Sequence, residues 1–250
     1  MPIQVGINLN GLRGRLARSL QRTMLLVAAG LQNLDKLDPE FLDLPTDFKL
    51  QLDPSLRWTD EQARVNYSEW VLSNGFRDAI ESIGSILEET HQVLSIWELC
   101  EPGQNRFTLS GSDWNDVIVD GGIKFHRLGL PDKLKHITIS HSLFLDEQLL
   151  CHLLSINIAR NCLVHRNGVV TKRDLTSETE LKVTWRKMSL FLKDEDGEKP
   201  LQIGEHVEKD SMVCMRFVDV EKSFALGEKI VFSVEEFAEV CWSLFYSGNN

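Results

Sequence analysis

Positive charge, paired cysteines and long apolar runs are all scarce in this chain of 250 residues. Lys and Arg number 27 against 37 Asp and Glu, a formal net charge of −10. Non-specific coating of nucleic acid is driven by neutralising phosphates, so a balance this acidic speaks against it. It leaves room for a local positive field around a site, and it makes a protein partner at least as natural as a nucleic acid. The five cysteines (Cys100, Cys151, Cys162, Cys214 and Cys241) are odd in number, scattered, and contain no Cys-x-x-Cys. That pattern predicts no disulfide framework and a reducing, cytoplasmic setting. No segment reaches the roughly 20 apolar residues needed to cross a bilayer. Arg13, Arg15, Arg18 and Arg22 ahead of Met24 to Gly30 loosely imitate a signal peptide, but read better as the basic end of a helix.

Other chemistries lack their residues. Asp120-Gly121-Gly122 is followed by no Lys-Ser/Thr, so it is no phosphate loop. No Gly-x-Ser-x-Gly elbow occurs. His126, His136 and His141 have no acid or cysteine at a zinc spacing, so neither a metal nor a cofactor is expected. Glu88-Glu89 and Glu235-Glu236 are adjacent pairs whose side chains diverge on a helix, hence solvated faces. No internal repeat is present.

What is there is helical first. Hydrophobic residues make up 42% and charged residues 26%, which is ordinary for a globular chain and enough for one large or two small domains. Residues 1–12 read as irregular. Leu16, Leu20, Met24, Val27 and Leu31 predict a helix over 13–37, ended by Asp38-Pro39. Residues 38–58 read as a loop. Thr59-Asp60-Glu61 opens a long helix to about Cys100, with Trp70, Ile80, Ile83, Leu87, Leu94 and Trp97 on its apolar side. Gly75 and Gly84 kink it or allow close packing. A third helix is expected over 114–128, broken by Gly129-Leu130-Pro131. After a link containing Ile137, Ile139 and Ser140, a fourth helix runs from Phe144 or Leu145 to His165. Four helices predict a bundle over residues 1–170.

The pattern changes beyond Gly168. Residues 182–193, 212–220 and 229–232 read as strands, and 194–210 as a solvated hairpin tip or loop. Ser233 with Glu236 is a capping box for a last helix over 234–245, whose Phe237, Val240, Cys241 and Leu244 face the bundle. The fold class is therefore mostly α, with a small β-containing C-terminal part over 171–250 packed on the bundle and closed by a helix.

One stretch carries chemistry. Arg160-Asn161-Cys162-Leu163-Val164-His165-Arg166-Asn167-Gly168 closes the fourth helix, which is apolar on nearly every side. Such a helix belongs in a bundle centre or an interface. Asn157, Asn161 and His165 nonetheless share one face at i, i+4, i+8, with Leu150, Leu154 and Ile158. Arg160 lies roughly 140° round from His165 at about 100° per residue. Asn167-Gly168 supplies the helix stop. Histidine can manage the protons of RNA cleavage at neutral pH, and arginine presents a planar fork matched to phosphate. Asn161 can orient the imidazole or bind a phosphate oxygen. Arg166, Lys172 and Arg173 add local positive field, and Arg15, Arg18 and Arg22 form a basic row on which an RNA backbone can lie.

Arg160, Asn161 and His165, with four residues between Arg and His, resemble the Arg-polar-x3-His signature of the HEPN superfamily, over about the first 170 residues. That resemblance implies a HEPN-like helical bundle and, as in the toxin and defence members, a metal-independent endoribonuclease. It implies that Arg160 and His165 are catalytic and that two subunits bring their motifs together in a homodimer, with an antitoxin or other protein as a further partner. The competing expectation is a non-catalytic HEPN-like scaffold or protein-interaction module. A nuclease needs Arg160 and His165 open to solvent, whereas a scaffold has them buried and paired.

Overall fold

The structure is a computed structural model that describes residues 9–34, 59–99, 121–194, 197–201 and 212–247, with Asn115, Asp116 and Val119 besides. Its elements are α1 (Leu9–Gln32), α2 (Asp60–Glu98), α3 (Gly121–His126), α4 (Leu130–Ser140), α5 (Glu147–His165), β1 (Glu180–Asp194), β2 (Gly197–Pro200), β3 (Met212–Ala225) and α6 (Val234–Ser247). The chain is thus mostly helical, with one three-stranded antiparallel sheet in the order β2-β1-β3.

Local chemistry explains most boundaries. The Thr59 hydroxyl accepts from the Gln62 N–H at 3.3 Å while the Thr59 N–H donates to Gln62 Oε1 at 3.1 Å, a reciprocal capping box that starts α2. Ser233 and Glu236 repeat the device at α6, at 2.8 Å and 3.2 Å. In α1, Leu16, Leu20 and Val27 are buried as their spacing predicts. The helix already begins at Leu9, inside the stretch expected to be irregular, and gives way after Gln32. The expected loop over 38–58 and most of the expected helix before Gly121 lie outside the described residues.

Three expectations are corrected. The link with Ile137, Ile139 and Ser140 is helix α4, because Gly129 is its N-cap and Pro131 sits in its first turn, where a missing N–H costs nothing. Residues 229–232 form no strand. Val169 and Lys229 make one isolated bridge, and the segment is an extended strap that sinks Ile230 and Phe232 into the core. Trp70 and Trp97 are exposed rather than on the apolar side of α2.

β1 is the hinge between helices and sheet. It packs on both α5 and α6, and it pairs along its length with β3, placing Leu181 opposite Phe224 and Trp185 opposite Val220. A single cluster of buried apolar residues runs from Leu16 of α1 through Phe76 of α2 and Ile156 of α5 to Val183 and Leu244. Phe237, Val240, Cys241 and Leu244 of α6 all lie in it. Phe76 ties α2 to the C-terminal strap and helix α6, with its ring 4.9 Å from Phe232 and 5.2 Å from Phe237. No described helix is long and apolar enough to cross a membrane.

Candidate functional site

Helix α5 carries the Arg160 motif. Asp146 caps it, accepting from the Leu149 N–H at 2.9 Å. At the other end the N–H groups of Arg166 and Gly168 both bond the Cys162 carbonyl, at 3.0 Å and 3.1 Å. Asn167 and Gly168 take the left-handed conformation, with φ of 52° and 72°, which terminates the helix as their identities predict. Most of the apolar surface of α5 is consumed within the chain. Leu149, Leu153, Ile156, Ala159, Cys162 and Leu163 are buried. The face bearing Leu150, Leu154, Ile158 and Asn161 is only half-buried, and His165 at its end is exposed. Asn157, on the same face, is buried.

Arg160 and His165 have different surroundings. The Arg160 side chain is 18% exposed. Its Nη1 donates to Asn161 Oδ1 at 2.9 Å, and its Nη2 lies 3.5 Å from Glu81 Oε1 on α2. Its Nε is buried with no hydrogen-bond partner. Asn161 therefore steadies the guanidinium rather than the imidazole. Glu81 Oε1 also accepts from Arg77 Nε at 2.8 Å, so one carboxylate is shared by two arginines. Among the described residues no hydrogen bond or ion pair reaches the His165 imidazole.

The other expected cations divide in the same way. Arg166 is engaged by Asp174, and Arg15 by Glu89. Arg22 lies 3.2 Å from Asp78. Arg18, Lys172 and Arg173 are exposed, with no ion pair among the described residues. The basic row on α1 thus keeps one open member, while Lys172 and Arg173 remain open just beyond the motif.

Beside the motif lies a groove of about 790 Å³ between α2, the C-terminal end of α5 and the 229–232 strap. Leu163 and Val164 of α5 and Asn167 and Gly168 of the turn after it line the groove, with Trp70 and Arg77 from α2. Sequence reasoning missed Glu81, Arg77 and this groove. Glu81 and Arg77 sit four apart on α2, which signals an exposed helical pair and nothing about Arg160.

Two further polar clusters were also unforeseen. His152 is buried, with Nδ1 2.9 Å from Thr184 Oγ1 and Nε2 3.0 Å from Asp219 Oδ1. The order hydroxyl, imidazole, carboxylate is that of a nucleophilic triad. However, Ser155 Oγ also lies 3.2 Å from the Thr184 hydroxyl, and the groove beside the Arg160 motif is lined by none of these residues. It pins α5 to the sheet. Burial alone would raise the Asp219 carboxyl, but His152 and Arg186 hold it below its ordinary range. At the far end of α2, His91 Nδ1 is 2.9 Å from His141 Nε2, and His141 Nδ1 is 2.7 Å from Glu98 Oε1. Among the described residues no group of three His, Cys, Asp or Glu side chains is disposed to hold a metal ion. Of the described cysteines, Cys151, Cys162, Cys214 and Cys241 are free. Comparison with protein-family models, curated proteins and solved structures gives no match to this chain.

Proposed function

We propose that this protein is a metal-independent endoribonuclease of the HEPN type, acting as a homodimer through the half-buried face of α5. The observation that carries the reading is an exposed His165, with no hydrogen bond or ion pair among the described residues, on the same helix end as an Arg160 guanidinium steadied by Asn161. A phosphate oxygen is the acceptor a guanidinium fork is shaped for. His165, exposed at the end of the same helix, supplies a proton-transfer group near that phosphate.

In the reaction the 2′-oxygen attacks the adjacent phosphorus and the bond to the 5′-oxygen breaks. A 2′,3′-cyclic phosphate and a 5′-hydroxyl result. One imidazole accepts the 2′-hydroxyl proton or delivers a proton to the leaving oxygen. A second copy, facing the first across α5, supplies a second imidazole for the other transfer. Arg160 neutralises charge on the non-bridging oxygens.

A specific observation favours the other reading, a non-catalytic scaffold: Arg160 is mostly covered and faces Glu81. The deciding experiment incubates the full chain and its His165→Ala and Arg160→Ala variants with cellular RNA in excess chelator. Thermal unfolding is measured alongside. Cleavage by the wild type alone, leaving cyclic-phosphate ends, supports the nuclease. No cleavage by any of them, with Arg160→Ala clearly destabilised and His165→Ala unaffected, supports the scaffold.

A further inference from the structure

The groove beside the motif combines features that Arg160 and His165 do not explain. Trp70 stands at its rim with 63% of its surface exposed, in a helix whose other faces bury apolar residues. The Tyr67 ring lies near-parallel to it, with centroids 6.3 Å apart and an interplanar angle of 27°, which extends the aromatic surface. Asn66 and Asn74 also line the groove. Each donates its side-chain N–H to a backbone carbonyl of α2, at 2.8 Å and 2.7 Å, leaving the amide oxygen as an acceptor with no partner among the described residues. Arg77 lines the same groove. Its Nε is occupied by Glu81, while its terminal nitrogens have no partner among the described residues. Of the charged lining residues, Lys229 is paired with Glu69, and Arg77 with Glu81 beside the groove, so the terminal nitrogens of Arg77 are the cationic donors left open there.

An exposed indole beside amide acceptors and a half-free guanidinium is the set that binds an unpaired nucleotide. The ring takes the face of any base, the amides take exocyclic N–H groups, and the arginine takes the backbone. A paired stem cannot offer a base face, since its bases are stacked inside the helix. The volume falls within the range of sites that hold one small ligand, roughly 300–1,000 Å³. Continuity sets the direction, because Arg77 shares Glu81 with Arg160 and the groove wall is the end of α5.

We propose that this groove holds one nucleotide of single-stranded RNA next to the Arg160 site, its base on Trp70 and its phosphate at Arg77. The proposal rests on the ribonuclease reading and adds that the substrate is unpaired at a position beside the scissile bond.

The test uses the full chain carrying His165→Ala, in chelator, with a short fluorescein-labelled oligocytidylate, whose bases carry an exocyclic amino group, followed by anisotropy. Trp70→Ala and Trp70→Phe are added to that background, and thermal unfolding confirms that both fold. Loss of one base stack weakens binding by about tenfold or more in Trp70→Ala, whereas Trp70→Phe keeps most of the affinity. Ultraviolet cross-linking places the oligonucleotide on the peptide containing Trp70. Equal binding by all three proteins overturns the groove proposal. If wild-type protein still cleaves RNA in that case, the nuclease reading stands without it. Trp70-dependent binding without any cleavage keeps the groove as an RNA site and overturns the nuclease. Self-association that Trp70→Ala abolishes, with no effect on RNA, makes the groove a surface between copies and overturns the proposal.

Discussion

Asp174 is fully buried and faces Arg166 across the turn that follows α5. Arg166 Nε donates to Asp174 Oδ2 at 2.8 Å and Nη2 to Oδ1, while the Thr171 N–H and hydroxyl donate at 2.9 Å and 2.7 Å. Burial on its own would raise this carboxyl. The Thr171 hydroxyl and N–H and the Arg166 guanidinium outweigh it, so the carboxyl lies below the ordinary aspartate value. A depressed folded value means that the stability it confers is complete above the ordinary value near 4 and is lost as pH falls through the folded one. Asp174→Ala leaves a guanidinium and two Thr171 donors unpaired and is expected to cost about 3–5 kcal/mol at neutral pH, read from urea midpoints. The difference from wild type should shrink below pH 4. A difference that stays constant to pH 2.5 would show that the carboxylate is not held in its charged form.

Gly75 and Gly84 of α2 make opposite predictions. A Cβ at Gly75 would collide with Val27 Cγ2 and come within 2.9 Å of Phe237 Cζ, both in buried side chains. The residue is there because α1, α2 and α6 meet at that point. Gly75→Ala gains about 1 kcal/mol of helix propensity and is charged about 1–3 kcal/mol or more for overpacking, so a net loss is expected. At Gly84 a Cβ meets only Lys133 Nζ at 3.8 Å. Gly84→Ala is expected to raise stability by up to about 1 kcal/mol. Calorimetric melting of the two variants should bracket the wild type.

His91 gives a pH dependence of a different sign origin from that of Asp174. Its ring stacks on Phe125 at 4.3 Å and meets His136 edge-on at 5.1 Å, while His141 ties it to Glu98. Burial, then the neighbouring His141 and His136, push the His91 imidazole down to about 4, against a smaller opposing pull from Glu98. Between about pH 6.5 and 4 the unfolded chain takes up a proton that the folded chain refuses, so stability falls as pH falls through that window. The loss is on the order of 2–3 kcal/mol. His91→Phe keeps the stacking and removes the titration, so its stability should vary less than that of wild type across the window. Imidazole resonances should show His91 still neutral at pH 5; a protonated ring there refutes the assignment.

Features set within three or four residues were legible in the sequence. The starts of α2 and α6 and the Asn167-Gly168 end of α5 depend on one side chain meeting one nearby backbone group, and each was read from residue identity. Helix α4 was misread because Gly129-Leu130-Pro131 looks the same whether proline ends one helix or begins the next. The 229–232 strap was misread because Ile230, Val231 and Phe232 are strand formers that here fill the core without a ladder. At the site, the motif and its helical phase were legible, since they lie on one helix. The partner Glu81 lies on another helix, and its approach to Arg160 depends on how α2 crosses α5. Trp70 was assigned to the core side of α2 by its spacing, whereas packing turned it outward.

Glu81 is the residue on which the candidate site turns. Its carboxylate lies 3.5 Å from Arg160 and 2.8 Å from Arg77, so it offsets positive charge where the proposed phosphates would sit. Glu81→Gln keeps the shape and a hydrogen-bond acceptor while removing that charge. If Arg160 and Arg77 bind phosphate, the variant should hold single-stranded RNA more tightly than wild type, both compared in the His165→Ala background. Each additional phosphate contact steepens the dependence of log affinity on log salt by about 0.7 for a single strand. A slope steeper by that amount, lost again in the Glu81→Gln, Arg77→Ala combination, would place the freed guanidinium on the RNA backbone. An unchanged slope with lowered thermal stability would mean that Glu81 serves only to join α2 to α5, and that Arg160 is a structural cation.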